Sequence, residues 1–217
     1  MKILLDILRK IKSIIITCIL KVRYKVQINK SKISFFDENI YKDKKIIIVG
    51  PAETSMSYLS GDEIDKFDII VRVNKSPLTL SGKEKQLGSR TDVLYHCFSE
   101  DSVDGGGRLD FDILHKQQNK YIIYSYFVPM LERVFFKTVL KYKKRIFYRV
   151  KPDFFNEIKK DYPAKWPTTG LQAVLHLMNS DFKELHITGF TFFRTSYLSG
   201  YTNNKINESE ESRKKQI

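Results

Sequence analysis

KKIIIVGPAETSMSYLSGDEIDKFDIIVRVN, residues 44–74, decides the fold. Ile46, Ile47, Ile48 and Val49 form an unbroken apolar run that ends at Gly50. A run with no polar alternation reads as a strand buried on both faces, followed by a tight turn. FDIIVRVN, residues 67–74, reads as a second strand. Residues 91–97, 120–127, 145–150 and 184–190 add four more, and 169–178 reads as a helix. Strands alternating with helical patterns imply an α/β fold, a single Rossmann-like α/β/α sandwich with a mostly parallel sheet, over residues 40–202. Residues 51–60 are a small-residue loop, and Gly105, Gly106 and Gly107 mark a flexible one. From residue 203 to 217 the chain is polar and charged, which predicts a fraying tail.

Composition narrows the class. The chain has 217 residues, 42% hydrophobic and 13% aromatic, too apolar for a disordered chain and long enough to bury a core. Ten Gly and six Pro exclude collagen-like or low-complexity architectures. Two cysteines, Cys18 and Cys97, make neither a disulfide framework nor a zinc site, and fit a reducing cytoplasm.

The 38 Lys and Arg outweigh 25 Asp and Glu to give a net charge of +13. That charge is concentrated. Residues 1–32 carry nine basic residues against Asp6 alone, and residues 116–151 carry ten against Glu132 alone, leaving about −4 for the rest. In the first stretch Leu4, Leu5, Leu8, Ile11, Ile15, Cys18 and Ile19 recur at helical spacing between Arg9, Lys10, Lys12 and Lys21. Its longest uncharged run, residues 13–20, is far short of the roughly 20 residues that span a bilayer. Residues 1–32 therefore predict a basic amphipathic N-terminal helix, meeting an anionic membrane surface through residues 1–25, with packing on the protein's own core as the alternative. In the second stretch Leu131, Val134, Phe135, Thr138, Val139 and Tyr142 fall at helical spacing, so a helix with a solvated basic face is expected. No nucleic-acid-binding motif accompanies the charge.

In parallel α/β sheets ligands collect at the carboxyl ends of the strands. Those ends carry Gly50, Asn74, His96 and Gly189. Thr168, Thr169 and Gly170 open the 169–178 helix, where hydroxyls and free N–H groups can cradle a phosphate. N-capping alone also explains Thr168.

Two stretches carry a resemblance. IIIVG, then EIDKFDIIVRVNKSP and GSRTDVLYH, resembles the large sialyl motif of glycosyltransferase family 29, the sialyltransferase family. Glu63, Ile64, Asp65, Asp68, Val71, Arg72, Asn74, Pro77, Gly88, Ser89, Arg90 and Thr91 fall in its order. PTTGLQAVLHLMNSDFKELHITGF resembles the small sialyl motif through Pro167, Thr169, Gly170, Leu171, Gly189 and Phe190. The resemblance implies a GT-A-like variant of the α/β/α fold. It implies metal-free transfer of a sugar acid from its CMP-linked form to a glycan hydroxyl, with no cofactor. The implied donor is CMP-sialic acid, or CMP-Kdo, a related acidic keto-sugar. A glycan or glycolipid at the inner, cytoplasmic membrane face is the expected acceptor.

By the resemblance, Asn74 binds the donor nucleotide, Thr168, Thr169 and Gly170 line its cytidine and phosphate site, and the loop after Gly50 approaches it. Ser89 is placed with them. Arg90 contributes charge there or serves as a structural ion-pair residue. Asp65 and Asp68 are read as turn or cap residues. Tyr197 and Tyr201, near the family's third motif, shape the phosphate site.

Three departures stand out. Pro51 occupies the place where the family has Asn, so Thr54 is the replacement contact. The motif cysteines of the animal enzymes are absent. The family's basic His beyond the small motif is also missing, since no His follows His186. Asn207 and Glu211 have the family's His-to-Glu spacing, but an amide is no base. His96 is then the candidate base, with a structural histidine as the alternative. His176 and His186 are read as structural, and His115 falls in a loop. A catalytically inactive CMP-sugar-binding homologue is the competing reading.

Overall fold

A computed structural model describes residues 2–27, 33–100, 106–126, 129–161, 167–191 and 194–201. The expected tail, with Asn207 and Glu211, lies outside the described residues. Seven strands form one sheet in the order β1 (Ile33–Phe35), β6 (Phe147–Arg149), β5 (Tyr121–Tyr124), β4 (Val93–Tyr95), β3 (Ile69–Val73), β2 (Lys45–Val49), β7 (Glu184–Thr188). Every described pairing is parallel, with Ile46 opposite Ile69 and Ile47 opposite His186. All seven carboxyl ends therefore share one rim. Six of these strands were expected from the sequence; five are slightly shorter than expected, and β2 begins one residue earlier, at Lys45. β1 was not, because three residues with little burial carry almost no apolar signal.

The apolar run of β2 explains the layers. Ile46 and Ile48 join Val71, Val73, Tyr95 and Ile123 under α6 (Pro152–Asp161) and α7 (Thr169–Met178). Ile47 and Val49 point the other way, with Ile70, onto Ile64 of α2 (Gly61–Ile64) and Leu87 of α3 (Glu84–Leu87). On that second face α4 (Phe111–Lys116) and α5 (Pro129–Lys141) cover Leu94, Ile122 and Tyr124 with Leu114, Phe135, Phe136 and Val139. Both faces of the sheet are buried, as a parallel sheet requires. His115, expected in a loop, lies in the last turn of α4.

α1 (Lys2–Gln27) lies against α5, so the two basic stretches sit side by side although far apart in sequence. It leaves Ile7, Leu8, Ile11, Ile14, Ile15, Ile19 and Val22 between 47% and 60% exposed. Among the described residues no helix is long and apolar enough to cross a membrane.

Candidate active site

The strand order turns at β2. Strands β3 to β6 extend from it on one side, and β7 returns to its other side. A crevice at the carboxyl ends forms beside such a reversal. The loops leaving β2 and β7 meet there backbone to backbone at Gly50 and Gly189, and Gly50 N–H donates to Thr188 O at 2.8 Å. The Phe190 ring fills the space between Gly50 and Gly170. A Cβ on either glycine would stand 2.9 Å and 2.8 Å from that ring. This wedge brings the amino end of α7 to the rim.

At that end Thr168 is the N-cap, its Oγ1 accepting from Leu171 N–H at 3.3 Å. Thr169 is buried and shares a hydrogen bond of 3.0 Å with the Tyr126 phenol just past β5. Gln172 Nε2 donates to Pro167 O at 2.8 Å, so the turn before α7 is held from within the helix. Gln172 Oε1 and Ser125 Oγ are buried without a hydrogen-bond partner among the described residues. Such atoms cost about 1–3 kcal/mol each unless something polar meets them.

Asn74 ends β3 with φ +50, a left-handed conformation that Asn tolerates better than most side chains. Its Oδ1 accepts from Cys97 N–H at 3.0 Å, which ties the end of β3 to the loop after β4. Residues 194–201 then fold back over β2. Ala52 bridges Tyr197, Leu198 N–H donates to Pro51 O at 2.7 Å, and Glu53 N–H donates to Ser196 O at 3.0 Å. Pro51 thus contributes its carbonyl to the fold. The Tyr197 and Tyr201 rings lie 5.2 Å apart, and the Asn74 side chain reaches the buried Tyr201 phenol. Burial pushes that phenol well above the ordinary tyrosine range. The exposed Thr54 sits in a 3-10 turn (Glu53–Ser57) beside this bridge, its carbonyl accepting from Ser57 Oγ.

Residues 44–215 match the model of glycosyltransferase family 29, the sialyltransferases. The chain belongs to this family. Among solved structures it is similar to a mammalian sialyltransferase in complex with Gal-beta-1-3GalNAc-ortho-nitrophenol. The identity is 14% and the TM-score 0.50, over 82% of this chain and 68% of that one. A second mammalian sialyltransferase structure gives 14% identity and a TM-score of 0.48, over 79% of this chain and 65% of that one. At such identity the likeness is one of fold, the GT-A-like α/β type. No curated protein matches the chain.

Within this sialyltransferase fold, two motif residues stand away from the carboxyl rim. Ser89 and Arg90 precede β4 and therefore stand at the amino rim of the sheet, six residues from His96 and about 20 Å away at strand rise. There they bind Asp65: its carboxylate accepts from Ser89 N–H, Ser89 Oγ and Arg90 N–H. Arg90 also pairs with Asp92 at 2.7 Å and donates to Asp65 O at 2.9 Å. The structural reading of Arg90 holds, and the GSRT segment is not beside His96. Asp68 accepts from Lys45 N–H at 2.8 Å, a bond between the starts of two neighbouring strands rather than a turn contact. Arg72 is buried at 1% exposure and donates to Arg90 O, Thr91 Oγ1 and Leu87 O, so it clamps the same segment.

Three of the four histidines are held in hydrogen bonds. His96 is buried, its Nε2 donates to Gly106 O at 2.7 Å, and its Nδ1 accepts from Phe98 N–H at 2.9 Å. No lone pair remains for an acceptor proton, and burial lowers its pKa to about 4. His96 therefore ties the residue 106 loop to β4, which corrects its reading as a base. His176 lies between Tyr95 and Glu38, and His186 between Tyr58 and Glu184. His115 is exposed near the amino rim. Among the described residues no group of three or more His, Cys, Asp and Glu side chains stands where it could hold a metal. Sequence reasoning missed Ser125, Tyr126 and Gln172. The first two end a predicted strand, so the rule that selected Gly50 and Asn74 applies to them equally.

Proposed function

We propose that this protein transfers a sialic acid from CMP-sialic acid to a glycan or glycolipid acceptor, without a metal ion, at a membrane surface. The observation that carries the reading is one rim that gathers Gly50, Asn74 and the Thr168–Gly170 turn from three separate stretches. In this reading the N–H groups opening α7 and the Thr168 hydroxyl face the donor phosphate, where helix-terminus donors favour negative charge. Asn74, fixed by Cys97, orients the nucleotide. Ser125 and Gln172 offer polar atoms to it.

The exposed apolar row of α1, flanked by the exposed Lys10 and Lys12, is the support for a membrane surface. Anionic lipid also suits the neighbouring basic α5. Cys18 and Cys97, which form no disulfide, suit the cytoplasmic face. Binding of the full chain to vesicles of anionic lipid is expected, with Ile11→Glu and Ile15→Glu weakening it; unchanged binding by both would remove the membrane part.

A CMP-sugar-binding role without turnover is the second reading. It is favoured by the histidines, none of which is free at this rim. Incubation with CMP-sialic acid or CMP-Kdo, followed by measurement of CMP release, separates the readings. Release identifies the transferase and its donor. Binding without release identifies the second reading. Neither binding nor release would end both.

A further inference from the structure

Lys75 follows Asn74 on the donor rim and was selected neither by the motifs nor by the charge pattern. It is 7% exposed. Its methylenes run over Gly107, where a Cβ would stand 2.5 Å from Lys75 Cβ and 3.1 Å from Cδ; Gly107 holds φ +70. The side chain ends with Nζ 5.4 Å from the centre of the Tyr201 ring. That is the ring whose phenol meets the Asn74 side chain and which leans on Tyr197. One aromatic face therefore holds an ammonium beside the donor asparagine, at the carboxyl rim where the α7 amino end also opens. Burial lowers the Lys75 pKa. An ammonium so enclosed gains more from an adjacent anion than a solvated one does.

We propose that Lys75 binds the phosphate of the CMP donor and stabilises the charge that CMP gains as it departs. The proposal rests on the CMP-sugar reading above. In the transfer, the bond from the sugar's anomeric carbon to the phosphate oxygen breaks, and its electron pair stays on that oxygen. The acceptor oxygen bonds to the anomeric carbon and loses its proton to a base or solvent. CMP leaves with one more negative charge. Lys75 gives up no proton in this step; it supplies a fixed positive charge where that oxygen gains charge.

Titration calorimetry of the full chain with CMP and with cytidine, which lacks the phosphate, tests this. Lys75→Met is expected to bind CMP about tenfold more weakly or worse, the loss of one charge-assisted contact, and to bind cytidine unchanged. Lys75→Arg should recover most of the CMP affinity, and wild-type CMP binding should fall more steeply with salt than that of Lys75→Met. Lys75→Gln gives the same comparison if the Met variant does not fold. Equal losses for CMP and cytidine would reduce Lys75 to a packing residue, and unchanged CMP binding would overturn the proposal. A wild-type protein that binds neither ligand would instead remove the donor reading itself.

Discussion

Gly50 and Gly189 approach so closely that neither has room for a side chain. A Cβ on Gly50 would stand 2.3 Å from Gly189 O, and one on Gly189 would stand 2.5 Å from Gly50 O. Gly189 also holds φ +73, whereas the constraint at Gly50 is steric. The contact fuses the two loops that bound the crevice, so its loss affects both the fold and the carboxyl rim. Gly50→Ala and Gly189→Ala are expected to lose about 3 kcal/mol each, at the upper end of overpacking costs. Gly82 is the control: it holds φ +78 with nothing within 4 Å of its built Cβ. Gly82→Ala should cost only the left-handed penalty, about 1–2 kcal/mol. Urea unfolding midpoints measure all three. A Gly50→Ala midpoint equal to wild type would mean the two loops part freely.

Asn74 has a backbone duty in the fold, and the ligand duty proposed for it can be separated from that one. Asn74→Gly keeps the left-handed conformation and removes the amide. Asn74→Ala removes both. The Gly variant should lie about 1 kcal/mol above the Ala variant in stability. Both should bind CMP more weakly than wild type, since neither presents the amide oriented by Cys97. CMP binding by Asn74→Gly at wild-type strength would leave Asn74 with the backbone duty alone.

How far the sequence was legible follows from which forces it records. β2 and β3 were readable because strands buried on both faces are written as unbroken apolar runs, such as Ile46–Val49. The helix from Thr169 was readable from its cap and periodicity. β1 was not, since Ser34 and Phe35 are exposed and three residues are too few for a pattern. The site was legible where glycines and capping residues mark close approaches, at Gly50, Thr168 and Gly170. It was misread where order along the chain was taken for nearness in space. Ser89, Arg90 and His96 share one motif region, yet β4 runs between them and carries the first two to the opposite rim. His96 also shows that a histidine at a strand's carboxyl end can be consumed by the backbone around it, a fact visible only once residue 106 is placed.

Arg72 is a motif residue whose hydrogen bonds lie away from the carboxyl rim, where the donor is proposed to bind. Its guanidinium crosses beneath the segment before β4 and satisfies carbonyls at Leu87 and Arg90 as well as Thr91 Oγ1. Burial lowers its pKa to about 10, so it stays charged at neutral pH. Arg72→Lys keeps a charge but loses the planar fork, leaving buried carbonyls unmet. A loss of about 3 kcal/mol is expected for Arg72→Lys and at least as much for Arg72→Met. CMP affinity of whatever folds should stay near wild type. Selective loss of CMP binding with intact stability would place Arg72 in the donor site after all.

Stability should fall on acidification in two stages, the first from the buried His96 and the second from the half-buried Glu38. His96 has its pKa lowered from 6.5 to about 4, first by burial, so between those values the unfolded chain binds the proton that the folded chain refuses. Its contribution is complete above about pH 6.5 and is lost as pH falls toward 4, a stage of about 3 kcal/mol. Glu38 has its pKa lowered from 4.5 to about 2, chiefly by its hydrogen bond with His176, with Lys151 adding to it against burial. Its contribution is present above about pH 4.5 and is lost as pH falls toward 2. Urea unfolding of wild type and His96→Gln between pH 7.5 and 4 reads the first stage alone. The variant should be less stable at pH 7.5, because Gly106 O and Phe98 N–H lose their imidazole, yet its stability should change less across the window. Parallel declines of the two proteins from pH 6.5 to 4 would mean that His96 takes up its proton without leaving the folded state, and that the backbone around residue 106 yields to admit the charge.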